Sequence, residues 1–432
     1  MRLYQVPSRG GSADFVFRLN EVPQNIRYYS PYFLPRQFGA RKLLFAFGPE
    51  TSFEMAVIDL ETSEELSLGQ SGYACVYSPS GHILFQPSRF ENGIWALSIN
   101  EGMIPQGEAF PVASTGEFPS VSSEGTLVYL DRPQGLRYQL FWRDRSGEMQ
   151  GSIGQPQQDI LFIALSSNGK RVAVRGTEKD NREIWIHEVD RPIKSRFTDH
   201  LELDTTPVWS PGDDQIAFCS MRKGSEGIFL KPVPGNTEAI TLAASSTPEW
   251  PTDWSRDGHY LLFDRMDPET HRDLWYFRVG NDGTFEEVPF LRTRFDEKLG
   301  QFSPDGRFVA YASNESGRCE VYVRPFPEGG IKWQISTEGG SQPRWSQTAG
   351  EIFYVQDGTL YTVGVTLEPS FSWSTPTKLF YSQGLNQTDF THYDVAPEAD
   401  RFVLAEPLGG ELPTKIRVVQ NWHTEFAEDL DK

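Results

Sequence analysis

Short segments of alternating hydrophobic and polar residues follow one another along most of the chain, and tight turns separate them. Residues 308–311 show the period of two that is typical of a strand packed on both faces. The preceding Asp305 and Gly306 favour a tight turn, because an aspartate side chain can cap the turn and glycine readily adopts a positive φ. No stretch shows a sustained period of 3.6 residues. The pattern predicts an all-β protein.

This strand–turn–strand unit recurs nine times. Its clearest copy, FSPDGRFVAY, begins at Phe302. Counted at the position of Pro304, the copies are anchored at residues 35, 79, 123, 167, 211, 256, 304, 347 and 397. The first four intervals are 44 residues each, and the others lie between 43 and 50. A third strand is predicted 18 residues after four of the anchors, at Phe141, Trp185, Phe229 and Tyr322. With a shorter fourth strand, each repeat has the pattern of a four-stranded antiparallel β-propeller blade.

The sequence leaves two ways to close the ring. The last repeat lacks a fourth strand, and the three strands that it supplies are residues 391–397, 401–406 and 415–422. A ring usually borrows a strand from its other end, because an open edge invites aggregation. If residues 3–6 and 15–19 are the donor, the chain is one nine-bladed ring. If residues 139–154 are the donor, residues 138–432 form a six-bladed ring and residues 1–137 hold three further repeats with a partial blade. The second arrangement is favoured, because propellers typically carry four to eight blades.

Composition excludes several classes of function. The 432 residues include 59 Asp and Glu against 40 Lys and Arg, a formal net charge of −19, which repels phosphate backbones and argues against nucleic-acid binding. The longest apolar run, residues 160–165, is far shorter than the roughly 20 residues of a membrane span. Cys75, Cys219 and Cys319 lack the spacing of a zinc site or a disulfide framework. We therefore expect no membrane span, metal or cofactor, and a partner that carries basic segments would suit the acidic surface.

Several segments resemble TolB-type, WD-repeat-like propellers, namely FSPDGRFVAYASNESGRCEVYVRPFP, STEGGSQPRWS, PTDWSRDG and VVQNW. They are more closely similar to the propeller regions at the C-terminal end of bacterial membrane-anchored serine/threonine kinases. The similarity is strong over residues 138–432 and weaker over residues 1–137. The resemblance implies a sensory, ligand-binding or protein-interaction platform, without naming the ligand.

The resemblance also bears on the start of the chain and on its compartment. Members of that family usually carry additional blades upstream, so the chain is expected to be either truncated or a standalone derivative. The N-terminal residues lack the continuous apolar segment of a signal peptide, which makes the cytoplasm the default compartment. The resemblance implies the periplasm if an upstream segment is missing.

Catalytic templates do not fit the sequence. HRDL at residues 271–274 and DFT at residues 389–391 look like kinase motifs, but a kinase needs an Asn where Arg278 stands and its DFG close to the catalytic loop. The chain has no G-x-S-x-G elbow, Walker loop or H-E-x-x-H motif. Its seven histidines are dispersed and are expected at surface or turn positions rather than as ligands. No catalytic residue is assigned.

The candidate ligand site lies at the mouth of the predicted channel. The first strand of each blade lines the channel, and the residue before the bulky blade-packing residue points away from that packing. In the last six repeats this position holds Ala164, Val208, Asp253, Gln301, Arg344 and Asp394. Asp253, Gln301, Arg344 and Asp394 thus form a predicted polar site for a peptide or small polar ligand. The alternative is a salt-bridge network that satisfies itself around a water-filled channel.

Three tryptophans near the predicted channel have two different expected roles. Trp254 and Trp345 occupy the repeat position that packs between blades, so they are expected in the core. Trp250 is out of that register and is expected near the channel rim.

Two classes of function follow from the sequence. The favoured one is a non-catalytic scaffold that binds a protein, a peptide or a cell-envelope ligand at the channel mouth. The other is a propeller enzyme, such as a metal-assisted polysaccharide lyase or hydrolase, that uses the channel-mouth carboxylates with His259 or His392. The scaffold is favoured because no catalytic constellation is visible.

Overall fold

The structure is a computed structural model in two compact units. Met1–Gly135 with Glu411–Lys432 form the first unit, and Leu136–Gly410 form the second. In the described part of the chain, the regular structure consists of β-strands and three short 3-10 segments, at Arg36–Phe38, Gln383–Leu385 and Trp422–Glu425. The structure describes residues 2–5, 14–18, 27–39, 41–48, 53–87, 93–131, 137–178, 181–222, 227–235, 237–242, 247–280, 282–348, 350–385, 390–408 and 415–425. Within these ranges, no helix has the length and apolar character needed to cross a bilayer. The predicted all-β fold is confirmed.

The first unit contains a two-stranded pair, two four-stranded antiparallel sheets and one three-stranded sheet. The pair is β1–β2, the four-stranded sheets are β3–β6 and β7–β10, and the three-stranded sheet begins with β11 and β12. The strands are β1 (Arg2–Gln5), β2 (Asp14–Arg18), β3 (Arg27–Phe33), β4 (Lys42–Gly48), β5 (Glu54–Asp59), β6 (Glu65–Ser71), β7 (Tyr73–Ser78), β8 (His82–Gln86), β9 (Ile94–Ser98), β10 (Phe110–Ala113), β11 (Glu117–Val121) and β12 (Leu127–Asp131).

The described residues of the second unit form three four-stranded antiparallel sheets, one seven-stranded sheet and one five-stranded sheet. Its strands up to the fourth sheet are β13 (Arg137–Asp144), β14 (Met149–Leu165), β15 (Arg171–Glu178), β16 (Asn181–Glu188), β17 (Lys194–Arg196), β18 (Asp204–Trp209), β19 (Gln215–Ser220), β20 (Gly227–Pro232), β21 (Ile240–Thr241), β22 (Glu249–Trp254), β23 (Tyr260–Asp267), β24 (His271–Val279) and β25 (Phe285–Leu291). The remaining strands are β26 (Glu297–Phe302), β27 (Phe308–Ser313), β28 (Glu320–Pro325), β29 (Trp333–Gln334), β30 (Ser341–Trp345), β31 (Glu351–Gln356), β32 (Thr359–Thr366), β33 (Ser372–Trp373), β34 (Thr377–Tyr381), β35 (Tyr393–Val395) and β36 (Arg401–Pro407).

One long strand joins the two ends of the second unit. The first half of β14 pairs with β13, and its second half pairs with β15. β13 in turn pairs with β36 over seven residues, from Tyr138 opposite Pro407 to Asp144 opposite Arg401. Residues 139–154 therefore lie beside the last repeat, which is the pairing that the second closure alternative requires. Arg2–Gln5, the other candidate donor, pairs with Asp14–Arg18.

The last strand of the chain belongs to the first unit. β37 (Lys415–Val419) pairs with β12 in an antiparallel register, with Leu127 opposite Val419 and Asp131 opposite Lys415. The prediction that residues 415–422 are the third strand of the last repeat is wrong. The physical reason is that β13 already occupies the hydrogen-bonding edge of β36, so β37 pairs with the edge of β12 instead.

The first strand of the repeat carries a bulge that the sequence pattern did not predict. The pairing register shifts in this strand in both units, for example between Tyr29 and Tyr32 in the first and between Thr205 and Val208 in the second. A non-glycine residue with positive φ lies at or next to most of these bulges, which is a strained conformation outside glycine. These residues are Ser30, Ala74, Phe118, Phe162, Thr206, Leu299 and Gln342. The first five follow one another at intervals of 44 residues, so the bulge is part of the repeat.

Hydrophobic side chains on both faces of the strands form the core. The middle strands are the most deeply buried, as in Phe308–Ser313, where every residue is buried. Packing on both faces fits the continuous apolar run FVAYA at residues 308–312. The expectation that the histidines lie at surface or turn positions is wrong for His82, His187 and His392, which are 8%, 0% and 4% exposed. His82 and His187 lie within strands that are buried on both faces, so a polar side chain there is enclosed by its neighbours.

Candidate functional site

The second unit contains a cavity of about 410 Å³. The six residues at the predicted channel-facing position all line it: Ala164, Val208, Asp253, Gln301, Arg344 and Asp394. They come from six first strands that are spread over more than 200 residues of chain. The structure therefore brings the four predicted site residues together in one cavity, and their role in ligand binding stays a prediction.

Asp253 is held in the cavity wall by the neighbouring sheet. Its Oδ2 accepts a hydrogen bond from the backbone N–H of Phe302 at 2.7 Å. Burial raises the pKa of the Asp253 carboxyl to about 7, although this hydrogen bond and the positive charge of Arg344 oppose the rise. The site thus contains a carboxyl group that gains or loses its proton near neutral pH.

Asp394 repeats this arrangement at the other end of the unit. Its Oδ2 accepts a hydrogen bond from the backbone N–H of Leu165 at 2.7 Å, and its Oδ1 accepts one from Val395 at 2.8 Å. The Nε of Arg344 lies 3.6 Å from Asp394 Oδ1. Burial raises the pKa of Asp394, and the positive charge of Arg344 opposes this rise. Asp394 therefore has several partners within the protein. This is what the alternative interpretation, a salt-bridge network around a water-filled channel, requires.

Several side chains of the first strands donate hydrogen bonds to backbone carbonyls of neighbouring first strands. Gln301 Nε2 donates to the carbonyl of Thr252 at 3.0 Å. The indole N–H of Trp345 donates to the carbonyl of Gln301 at 3.1 Å, and Trp209 donates in the same way to Ala164 at 3.0 Å. The expectation that Trp345 packs in the core agrees with its 7% exposure and with its place in a hydrophobic cluster. These contacts fix the first strands against one another and so fix the shape of the cavity.

A second group of polar residues lines the cavity near the start of β22. Trp250 lines it together with Thr252, Asp264 and Arg272. The guanidinium of Arg272 lies over the Trp250 ring, 4.7 Å from the ring centroid. Both oxygens of Asp264 lie 3.2 Å from the backbone nitrogen of Leu299. Burial raises the pKa of Asp264 to about 6, and the charge of Arg272 opposes this rise.

Sequence reasoning missed Arg272 and Asp264 as cavity residues. In the sequence, Arg272 stands out only as part of the HRDL string. Asp264 lies in the second strand of its repeat, and the repeat pattern assigns no channel-facing position to that strand. The available signal was the out-of-register Trp250, which was expected near the channel rim and does line the cavity. The register shift in β22, between Pro251 and Asp253, is not visible in the hydrophobic pattern of the sequence.

The residues of the enzyme alternative are not assembled. The lining of the cavity includes neither His259 nor His392. His259 is exposed in a turn, whereas His392 is buried and its backbone N–H donates to Gln342 at 2.8 Å. Burial lowers the pKa of His392 to about 4. Among the residues that the structure describes, no cluster of three or more His, Cys, Asp or Glu side chains could hold a metal ion.

The aspartate of the kinase-like string has a structural role. Asp273 is fully buried, and its Oδ2 accepts a hydrogen bond from Thr270 Oγ1 at 2.7 Å. The Nε of Arg292 lies 3.3 Å from the same oxygen. The string therefore begins a strand that pairs with a neighbour on both sides, and the carboxylate of its aspartate is held by nearby side chains.

A family model and one solved structure of the TolB type support this architecture. Residues 163–347 match the family model of the TolB beta propeller domain. A TolB-type structure from Agrobacterium tumefaciens superimposes with a TM-score of 0.51 at 14% identity, covering 63% of this chain and 99% of that chain. TolB from Acinetobacter baumannii gives a TM-score of 0.42 at 12% identity, covering 92% of this chain and 85% of that chain. An oligogalacturonate lyase in complex with manganese gives a TM-score of 0.36 at 11% identity, covering 90% of this chain and 98% of that chain.

The fold is that of a TolB-type β-propeller built from four-stranded antiparallel sheets. This fold is consistent with a binding scaffold. At these identities the likeness concerns the fold alone, because one fold hosts many functions. The residues of the cavity are therefore the basis for a functional proposal.

Proposed function

We propose that the chain is a non-catalytic propeller scaffold whose cavity binds a peptide segment of a partner protein. In this proposal Asp253 and Asp394 pair with a basic side chain of the segment, and Gln301 and Arg344 orient its polar groups. In this proposal residues 138–410 act as a six-bladed ring around the cavity, and residues 1–137 together with residues 411–432 are a separate module of three repeats with a partial blade.

The observation that carries the proposal is the lining of one cavity by the channel-facing residues of six repeats. A volume of about 410 Å³ lies within the range of roughly 300–1,000 Å³ that small-molecule sites occupy. Carboxylates in such an enclosed site attract cations more strongly than exposed ones, because the local dielectric constant is low. The net charge of −19 would also attract a basic segment from a distance.

The enzyme alternative has less support among the described residues. It requires His259 or His392 beside the channel carboxylates, and neither lines the cavity. The scaffold is therefore the function that we propose.

Binding of short peptides tests the proposal. Two tetrapeptide sets, both acetylated and C-terminally amidated so that no terminal charge remains, are incubated with the full chain in equilibrium dialysis and quantified by mass spectrometry. One set contains a single Lys or Arg, and the other has Gln in its place. We expect the full chain to retain the basic set about tenfold better, the equivalent of about 1.4 kcal/mol.

Matched variants assign the binding to the cavity. Asp253→Asn and Asp394→Asn remove the charge and keep a side-chain oxygen that can accept the backbone hydrogen bond, so retention of the basic set should fall. The control is Asp357→Asn, an exposed aspartate in the turn between β31 and β32, which should change nothing. Equal retention of both sets, or no retention of either, would overturn the pairing of a basic side chain with Asp253 and Asp394.

A further inference from the structure

Arg272 differs from the other arginines of its sheet. Arg265 lies beside Glu249 and also pairs with Glu287 at 2.6 Å. Arg292 pairs with Asp267 at 2.9 Å. Arg265 and Arg292 also lie over an aromatic ring, that of Trp275. The Arg272 guanidinium lies over the Trp250 ring, and it differs from the other two because within the described part of the chain it has no ion-pair or hydrogen-bond partner. Its donors are therefore available to a ligand.

The surroundings of Arg272 suit a small polar group. Arg272, Trp250, Thr206 and Thr252 all line the cavity. The hydroxyls of Thr206 and Thr252 are buried, and neither has a hydrogen-bond partner among the described residues. Buried polar atoms are normally satisfied, so these two hydroxyls point to an additional partner in the cavity. The cation–π contact with Trp250 restrains the guanidinium, which reduces the entropy lost when it binds an anion.

The charges in the cavity limit the kind of anion. Three aspartates and three arginines line it: Asp253, Asp264, Asp394, Arg256, Arg272 and Arg344. When these aspartates are ionised, they repel a phosphate with about two negative charges more strongly than an anion with one, because the space is poorly screened. A carboxylate has one negative charge, and its planar oxygens match the fork of a guanidinium.

We propose that Arg272, stacked on Trp250, is an anion subsite that binds the C-terminal carboxylate of a peptide. This inference rests on the proposed function, because it assigns one end of the same ligand. Trp250 and Asp253 are three residues apart in one strand, which corresponds to about 10 Å. An extended peptide covers that distance with about three residues. The preferred ligand is therefore a free C-terminus with Lys or Arg within its last three or four residues.

The test compares the acetylated basic tetrapeptide amides with the same peptides as free C-terminal acids, again by equilibrium dialysis against the full chain. We expect the free acids to bind the wild type about tenfold more tightly than the amides. Arg272→Gln should abolish this preference for acids while leaving the binding of the amides unchanged. Arg272→Lys should keep part of the preference, because the positive charge remains and the planar fork is lost.

The matched control is Arg278→Gln in the same strand, whose guanidinium pairs with the exposed Glu286 at 2.9 Å. This variant should keep the wild-type preference. If wild type binds acids and amides equally, the carboxylate subsite is wrong and the scaffold proposal stands. If amides do not bind and acids do, the subsite is supported and the assignment of the basic side chain to the aspartates fails. If neither class binds, both proposals are overturned.

Discussion

The carboxylate of Asp394 accepts a hydrogen bond from the backbone N–H of Leu165 across 229 residues of sequence, at 2.7 Å. Asp253 accepts an equivalent bond from Phe302 in the following sheet, also at 2.7 Å. In both cases the aspartate occupies the predicted channel-facing position of its repeat. The same side chains therefore hold neighbouring first strands together and line the cavity, so structure and ligand binding depend on one set of residues.

Replacing Asp394 should destabilise the second unit. Asp394→Ala removes the acceptor for Leu165 and Val395 and leaves Arg344 without its nearby carboxylate, so we expect a loss of about 2–4 kcal/mol. Urea unfolding followed by tryptophan fluorescence measures this loss. Asp394→Asn keeps an acceptor oxygen and should lose less. An Asp394→Ala midpoint equal to that of wild type would contradict the structural role.

The charge of Asp253 should make stability depend on pH. The folded-state pKa is raised to about 7, above the ordinary value of about 3.9 in an unfolded chain. Between these two values the folded state binds more protons than the unfolded state, so the contribution of Asp253 to stability falls as pH rises from about 4 to 7. Asp253→Asn removes this contribution.

We therefore expect the stability of Asp253→Asn relative to wild type to be higher at pH 8 than at pH 5. Urea unfolding of both proteins at the two pH values gives this difference and cancels the effect of other titrating groups. A difference that stays constant, or that falls as pH rises, would show that the folded-state pKa of Asp253 is not raised.

Gly154 should not tolerate a side chain. Its φ is +61°, and an added Cβ would lie 2.8 Å from the Cβ of the fully buried His187. Gly154→Ala should cost about 2–4 kcal/mol, from the left-handed backbone conformation together with the clash. The control is Gly306→Ala, where φ is +72° and an added Cβ meets nothing within 4 Å. It should cost only the backbone part, about 1–2 kcal/mol. Equal losses by urea unfolding would show that the contact with His187 is not tight.

The pairing of β13 with β36 can be tested through one ion pair. Arg143 binds Glu406 through two hydrogen bonds, at 2.7 Å and 2.6 Å, and both side chains are mostly buried. A double-mutant cycle with Arg143→Ala and Glu406→Ala should give a coupling of about 1 kcal/mol. The exposed pair Arg278 and Glu286 serves as reference and should give less than about 0.5 kcal/mol. No coupling between Arg143 and Glu406 would argue against the pairing of these two strands.

Strand positions and the channel-facing register could be predicted from the sequence, because both depend on local information. The predicted third-strand residues Phe141, Trp185, Phe229 and Tyr322 all lie in strands. Alternation with a period of two identifies which side chains share a face, and the repeat of about 44 residues puts equivalent residues in equivalent places. These two local signals suffice to select Asp253, Gln301, Arg344 and Asp394 as neighbours.

Which strands pair over long distances could not be read from the sequence. β13 pairs with β36, and β37 pairs with β12, because open strand edges take the partner that the whole fold presents to them. The burial of His82, His187 and His392 has the same origin, since a neighbouring strand or sheet can enclose a side chain whose own sequence context looks like a surface.

Alternation and repeat spacing were enough to predict an all-β repeat protein with a polar register on its first strands. The tertiary structure decided the rest of the cavity, including Arg272 over Trp250 and the hydroxyls of Thr206 and Thr252. The physical reason is that alternation follows the backbone of one strand, whereas a cavity is formed by several strands and by bulges that shift their registers.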